Sequence, residues 1–166
     1  MSGPGPAAGR AETRYAAPFA VLGIATDGNF VTSVRYLPRG TPQVAPHDRI
    51  AERACREIER YLADPAYVFR VPYHLQGTLF QRRVWREIEK LFPLKTTTYG
   101  VMARHLGSAA RAVGGACGAN PVPLIVPCHR VLSANGLGGF MGGREAFPLS
   151  VKRWLLAHEG LIDRRD

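Results

Sequence analysis

No stretch of this sequence is apolar for long enough to cross a bilayer: Val122 to Val126, set between prolines, falls far short of the roughly 20 residues a membrane helix needs. That excludes a helical membrane protein and predicts a soluble one with no membrane partner. The opening residues, MSGPGPAAGR, lack an apolar core behind their charge and carry glycine and proline instead. A signal peptide is therefore not expected, and the chain reads as cytoplasmic, with a flexible tail over residues 1–13. Cysteine is scarce. Cys55, Cys117 and Cys128 cannot all pair and show no CxxC or clustered Cys/His spacing, so neither a disulfide framework nor a metal site is expected. Acidic residues are few as well, with 13 Asp and Glu against 22 Lys and Arg, for a net charge of +9. Such an excess concentrates polyanions and makes nucleic acid the first partner to consider. At 46% apolar content the 166 residues can bury a real core, which excludes collagen, coiled coil and wholesale disorder.

What is present reads as an α+β fold in two modules. Phe19 to Ala25 and Phe30 to Tyr36 are β-rich runs, and Thr26-Asp27-Gly28-Asn29 between them tolerates the positive φ of a hairpin turn. A loop rich in proline and glycine leads to a helix over about 48–62, whose Ala51, Cys55, Ile58 and Leu62 share one face; Cys55 is expected to pack inward. Tyr67 to Val71 is expected as a further strand. This small strand and helix module is placed at 14–75, and the rest, 76–166, is expected to be mainly helical. Thr78 and Gln81 have the spacing of a capping box ahead of a helix carrying Phe80, Val84, Ile88 and Leu91, with Arg82, Arg83 and Arg86 outside and Pro93 limiting its length. A second helix is expected over 99–106, stopped by Gly107, and a third from Ala109 to about Gly118, capped by Ser108. Two short helices joined by a Gly-Ser turn fit a helix-turn-helix or any αα-hairpin.

The third of these helices is unusual in content. Gly114 and Gly115 are consecutive and Gly118 is nearby, each costing roughly 1 kcal/mol against alanine inside a helix. Arg111 is its only long side chain. Either the glycines permit tight helix packing, or they let the helix press into a groove of DNA with Arg111 as probe. Downstream, a proline-bounded apolar strand is expected to deliver Cys128, His129 and Arg130 in succession. Proline would fix the approach to Cys128, and two adjacent cations would favour the thiolate, the form that acts as a nucleophile. Neighbours in a strand point to opposite faces, so joining Cys128 to His129 would need a bridging water or a local turn. The competing reading is a buried thiol beside a structural histidine. Cys117 reads as a small packing residue, and His47, His74, His105 and His158 join no constellation.

Several motifs preserve one order through most of the C-terminal half: Phe80-Gln81 with Val84-Trp85, Tyr99-Gly100 with Ala103, AARAVGG from Ala109, NPVPLIVPCHRV from Asn120 and VKRWLLAHEG from Val151. Together they resemble the O6-alkylguanine-DNA alkyltransferases, also called methylated-DNA–protein-cysteine methyltransferases. The resemblance implies a ribonuclease-H-like N-terminal module and a helix-turn-helix behind it. It implies direct repair in a single turnover, an alkyl group passing from O6 of guanine in double-stranded DNA to Cys128 and staying there, with no cofactor. By the same resemblance the second helix of the motif lies in the minor groove, with Ala110, Gly114 and Gly115 against DNA and Arg111 filling the gap of a flipped nucleotide. Tyr99 would crowd the backbone and give a proton to guanine, and Asn120 would brace the segment ahead of the nucleophile. His129 would take the thiol proton through a water, and Glu159 would orient it.

Pocket contacts follow from the same source: carbonyls near Cys128 and Val131 for the exocyclic amine and a backbone N–H near Met141 for O6. Phe140 and Met141 stand where the family often has tyrosine and a small residue, and read either as apolar packing against an alkyl chain or as plain loop contacts. Lys152 reads either as approaching the site or as a solvated charge. Two departures stand out. The Gly107-Ser108 turn is shorter than the family's commoner Gly-Asn-Pro-Lys type, and Arg144 to Ser150 is a longer link beside the pocket lip, able to widen or lid it. A monomer is expected, with cooperative binding along DNA and action on O4-alkylthymine left open. The alternative function is a non-catalytic sensor of alkylated DNA.

Overall fold

The computed structural model describes residues 12–92, 94–143 and 145–163, so expectations for residues 1–11, Pro93 and Arg144 lie outside it. The architecture is mixed α/β and divides into two compact units. One takes in the chain up to Leu75 together with Pro121–Ile125; the other takes in Gln76–Asn120 and the chain from Val126. Among the described residues no helix is long and apolar enough to cross a membrane.

In the first unit β1 (Thr13–Ala16), β2 (Val21–Thr26) and β3 (Val31–Leu37) form an antiparallel sheet in that order. The hairpin turn forms as its residues demand. The Asp27 carboxylate accepts the N–H groups of Asn29 and Phe30 at 2.9 and 2.8 Å, and Gly28 takes φ +95°. β2, the middle strand, is buried at every position. Thr13 pairs with Ile24 and the buried Glu12 receives Arg35 at 2.9 Å, so residues 12 and 13, expected in the tail, belong to this unit.

α1 (Arg49–Ala63) starts at Asp48, whose carboxylate accepts the N–H of Ala51 at 2.8 Å. Its buried face comprises Ala51, Ala54, Glu57, Ile58 and Tyr61. Cys55 and Leu62 are only half-buried, so the face is rotated from the one expected. Glu57 explains the rotation. Its carboxylate accepts the N–H groups of Arg70 and Val71 at 2.6 and 3.2 Å and Nε of Arg53 at 2.9 Å. The same bonds overturn the strand expected over 67–71, since donors needed for a ladder are given to a side chain. The segment meets β3 only at a bridge between Val31 and Tyr73.

In the second unit α2 (Leu79–Glu89) carries the capping box expected of it, Thr78 and Gln81 bonding each other's backbone N–H at 3.1 and 2.9 Å. Trp85 is fully buried and donates Nε1 to the Ala116 carbonyl at 2.8 Å. After β4 (Thr97–Thr98), α3 (Tyr99–Leu106) ends at Gly107 with φ +62°. Ser108 does not cap the next helix. Its backbone N–H donates to the Ala103 carbonyl at 2.8 Å and closes α3, leaving Ala109 as an uncapped start to α4 (Ala110–Gly118).

The strand expected before Cys128 does not form. Pro121, Pro123 and Pro127 have no N–H for a ladder and Leu124 takes φ +75°. The segment runs through turns into a 3-10 turn at Cys128–Arg130 and then β5 (Val131–Leu132), parallel to β4. Most of the supposed link over 144–150 is helix, because α5 (Ala146–His158) begins inside it. Pro148 sits in its first turn, where a missing N–H leaves no intrahelical bond unmade.

Candidate active site

The 3-10 turn decides what the neighbours of Cys128 do. His129 and Arg130, expected as cations beside the thiol, are both directed at Glu159 at the end of α5. Glu159 accepts Nε2 of His129 at 2.7 Å on one oxygen, while the other receives Nε of Arg130 at 2.8 Å and its Nη2. Nη1 of Arg130 donates to the Leu91 carbonyl at 2.7 Å. An ionised carboxylate can only accept, so Nε2 carries the imidazole proton and Nδ1 is left as an acceptor. Nδ1 is buried and has no partner among the described residues.

Burial pushes the His129 pKa down, and the pull of Glu159 does not restore it. Glu159 is itself buried, which works against its charge, but His129 and Arg130 outweigh that and hold its carboxyl below the usual range. The result is a neutral imidazole, fixed at one nitrogen and able to accept a proton at the other.

The charge that bears on the thiol is Lys152, on α5. Its side chain is fully buried, with Nζ donating to the carbonyls of Val131 and Gly139 at 2.8 and 2.9 Å and lying 3.5 Å from the Tyr99 hydroxyl. A solvated charge is thereby excluded. Burial lowers its pKa to about 8 against the pull of Cys128 and Cys117. Burial also raises the Cys128 thiol, offset only in part by a hydrogen bond from Asn120 and by Lys152. The thiolate is thus not favoured at rest, contrary to the expectation from sequence adjacency. Asn120 braces the approach as well, Nδ2 donating to the Val126 carbonyl at 2.9 Å.

Cys128 opens on a cavity of about 640 Å³. Tyr99, Phe140 and Met141 line it, with Ala110, Arg111, Gly114 and Gly115 of α4. Tyr99 donates its hydroxyl to the Gly139 carbonyl at 3.2 Å. Val131 does not line the cavity; it is fully buried and its carbonyl takes the Lys152 ammonium. Ser133, just beyond β5, lies on the wall instead, and so does Cys117. Gly138 has φ +74° and a Cβ there would stand 2.8 Å from the Tyr99 ring, so only glycine lets the loop close on the tyrosine. Arg111 is exposed. Among the described residues no three His, Cys, Asp or Glu side chains gather as a metal site.

Of the residues named from sequence, Cys128, Tyr99, Phe140, Met141 and the α4 residues share one cavity wall, His129 pairs with Glu159, Asn120 bonds the Val126 carbonyl, and Val131 lies off the wall. Sequence reading missed the grip of Arg130 on Glu159 and the burial of Lys152. The second had a signal: Lys152 and Glu159 lie seven residues apart with Leu155 and Leu156 between them, one buried face of a helix. The first had none.

Residues 79–161 match the family model described as 6-O-methylguanine DNA methyltransferase, DNA binding domain. A methylated-DNA–protein-cysteine methyltransferase of Methanosarcina acetivorans is 39% identical over 117 residues, covering 69% of this chain and 72% of its own. One of Haemophilus influenzae is 33% identical over 159 residues, covering 89% of this chain and 84% of its own. The solved structure of Mycobacterium tuberculosis OGT in complex with DNA superposes with a TM-score of 0.73 at 32% identity, covering 92% of this chain and 94% of that one.

Proposed function

The chain belongs to the methylated-DNA–protein-cysteine methyltransferase family, and on that premise we propose that it repairs DNA by moving an alkyl group from O6 of guanine onto Cys128. The observation that carries the reading is the buried His129, proton fixed on Nε2 by Glu159 at 2.7 Å and Nδ1 unpartnered among the described residues, next in sequence to a cysteine on a cavity wall. A water between Nδ1 and Sγ would carry the thiol proton to the imidazole, and Glu159 would stabilise the imidazolium. The sulfur pair then attacks the saturated carbon and the C–O bond breaks. Its electrons pass to guanine, which takes a proton from the Tyr99 hydroxyl. Lys152, 3.5 Å from that oxygen, would stabilise the charge left behind. The product is a thioether, which water does not cleave at neutral pH, so each molecule acts once.

The cavity of about 640 Å³ lies within the roughly 300–1,000 Å³ of small-molecule sites, which suits a base swung out of the duplex. α3 and α4 would serve as the helix-turn-helix, with α4 in the minor groove. Ala110, Gly114 and Gly115 lie toward the open cavity and are short enough for close approach, and the exposed Arg111 would fill the space of the flipped nucleotide. The N-terminal module is taken as ribonuclease-H-like and the protein as a cytoplasmic monomer.

Incubation with an O6-methylguanine duplex followed by intact mass measurement tests this: a gain of about 14 Da is expected, absent in Cys128→Ser. Binding without a mass gain would mark a damage sensor instead. Release of more than one equivalent of product would mark a hydrolase.

A further inference from the structure

The unit that lacks Cys128 carries a charge pattern that alkyl transfer does not use. Arg49, Arg53, Arg56 and Arg60 recur on α1 at i, i+4, i+7 and i+11. At about 100° per residue they fall within about 60° of one another around the helix, and all are exposed. Arg70, from the segment after the helix, joins them. With Glu57 and Tyr67, the arginines at 53, 56, 60 and 70 line a concavity of about 270 Å³.

Two members of the row are held in place, Arg53 and Arg60. The buried Glu57 takes Nε of Arg53 at 2.9 Å and the backbone N–H of Arg70 at 2.6 Å, and Arg53 Nη2 donates to the Arg70 carbonyl at 3.0 Å. The Arg60 guanidinium stands 6.0 Å over the Tyr67 ring. Within the row Arg53 alone gives its charge to a carboxylate among the described residues. The side chains of Arg49, Arg56 and Arg70 have no hydrogen bond or ion pair among the described residues. Glu52 and Glu59 flank the row on one side, and Glu59 faces Tyr15. Like charges at i,i+4 spacing destabilise a helix, and a polyanion laid along them turns that repulsion into attraction.

We propose that this row is a second DNA contact, gripping successive phosphates of a duplex backbone. Its span of about 16 Å along the helix matches a length of B-DNA bearing about ten charges, far more than a lone anion supplies. Guanidinium forks suit phosphate oxygens. The contact rests on the reading of DNA as the substrate's carrier, and its test separates the two.

A variant with Arg49→Gln, Arg56→Gln and Arg60→Gln, keeping Arg53 to brace Glu57, is titrated against an undamaged fluorescent duplex from about 50 to about 200 mM salt. Affinity at low salt should fall roughly tenfold, and the slope of log affinity against log salt should shrink by about two to three, near one for each phosphate no longer gripped. Lysine at the same positions should keep most of the slope, which separates charge from folding damage. Free O6-benzylguanine, which offers no phosphate, should alkylate the wild type and the glutamine variant at equal rates. Wild type that fails to react with that base would sink alkyl transfer and leave the phosphate grip standing. An unchanged salt slope in the glutamine variant would overturn the proposal. If that variant bound the duplex normally and failed only to bind polyglutamate, the row would belong to an acidic protein.

Discussion

Glu57 in one unit and Glu159 in the other are both buried carboxylates that hold an arginine, and the difference lies in their remaining partners. Glu57 accepts from Arg53 and from the backbone N–H groups of Arg70 and Val71. Those donors are a guanidinium and two backbone amides, so the carboxylate ties a loop to a helix and nothing more is asked of it. Glu159 accepts from Arg130 and from His129, whose other nitrogen has no partner among the described residues. Exchanging fixed donors for a titratable one converts a staple into a group able to stabilise an arriving proton. Burial and an ion pair alone therefore do not mark an active site; the chemistry of the donors does.

Glutamine at each position is the sharpest way to break this comparison. Glu159→Gln removes the charge that would stabilise the imidazolium and leaves Arg130 uncompensated. The rate of alkyl transfer should fall by roughly two to four orders of magnitude, with DNA affinity little changed. Glu57→Gln should cost about 1–3 kcal/mol of stability, yet leave the reaction of each folded molecule with the free base within about twofold. Single-turnover rates and melting curves on both variants decide the matter. Equal losses of rate would erase the distinction between staple and relay.

The pH dependence of stability sharpens it further. His129 is held below its usual 6.5, so as pH falls through that value the unfolded chain binds a proton that the folded chain refuses. The stabilisation from a neutral, buried imidazole is present above 6.5 and is lost on acidification. Lowering the pH from about 7.5 to about 5.5 should lower the wild-type melting temperature, and His129→Gln should flatten that change. No comparable flattening is expected from Glu57→Gln, whose donors are a guanidinium and two backbone N–H groups. A variant at 129 with the full wild-type pH slope would place the titrating group elsewhere.

How much of the molecule was legible in the sequence depended on the range of the interaction. The hairpin at Asp27-Gly28, the Thr78/Gln81 box and the stop at Gly107 are made by residues within a turn of one another, and each formed as its spacing predicts. Failures came where a distant group claimed the backbone or the charge. Residues 67–71 look like a strand until Glu57, thirteen residues back, takes the N–H of Arg70. Cys128 looks flanked by cations until a 3-10 turn sends His129 and Arg130 to Glu159 and leaves Lys152 to face the thiol. The residues proposed to react were legible because their types and order are distinctive. Their partners were not, since each partner sits some thirty residues away or on a separate helix.

The rule that neighbours decide a residue's role extends to a finer pair, the glycines of α4. A Cβ on Gly118 would stand 3.1 Å from Cα of Gly142, so that glycine is spent on packing. A Cβ on Gly115 would meet nothing within 4 Å, and the position is exposed. Folding gives no reason for glycine there, and alanine should raise stability by up to about 1 kcal/mol. The same methyl would stand between α4 and a minor groove about 6 Å wide. Gly115→Ala should therefore melt higher and repair duplex DNA a few-fold more slowly, about threefold in our expectation, while reacting normally with the free base. Gly118→Ala should melt lower. If Gly115→Ala gained stability and repaired the duplex at full rate, α4 would have no need of close approach, and its small residues would have to be explained by packing alone.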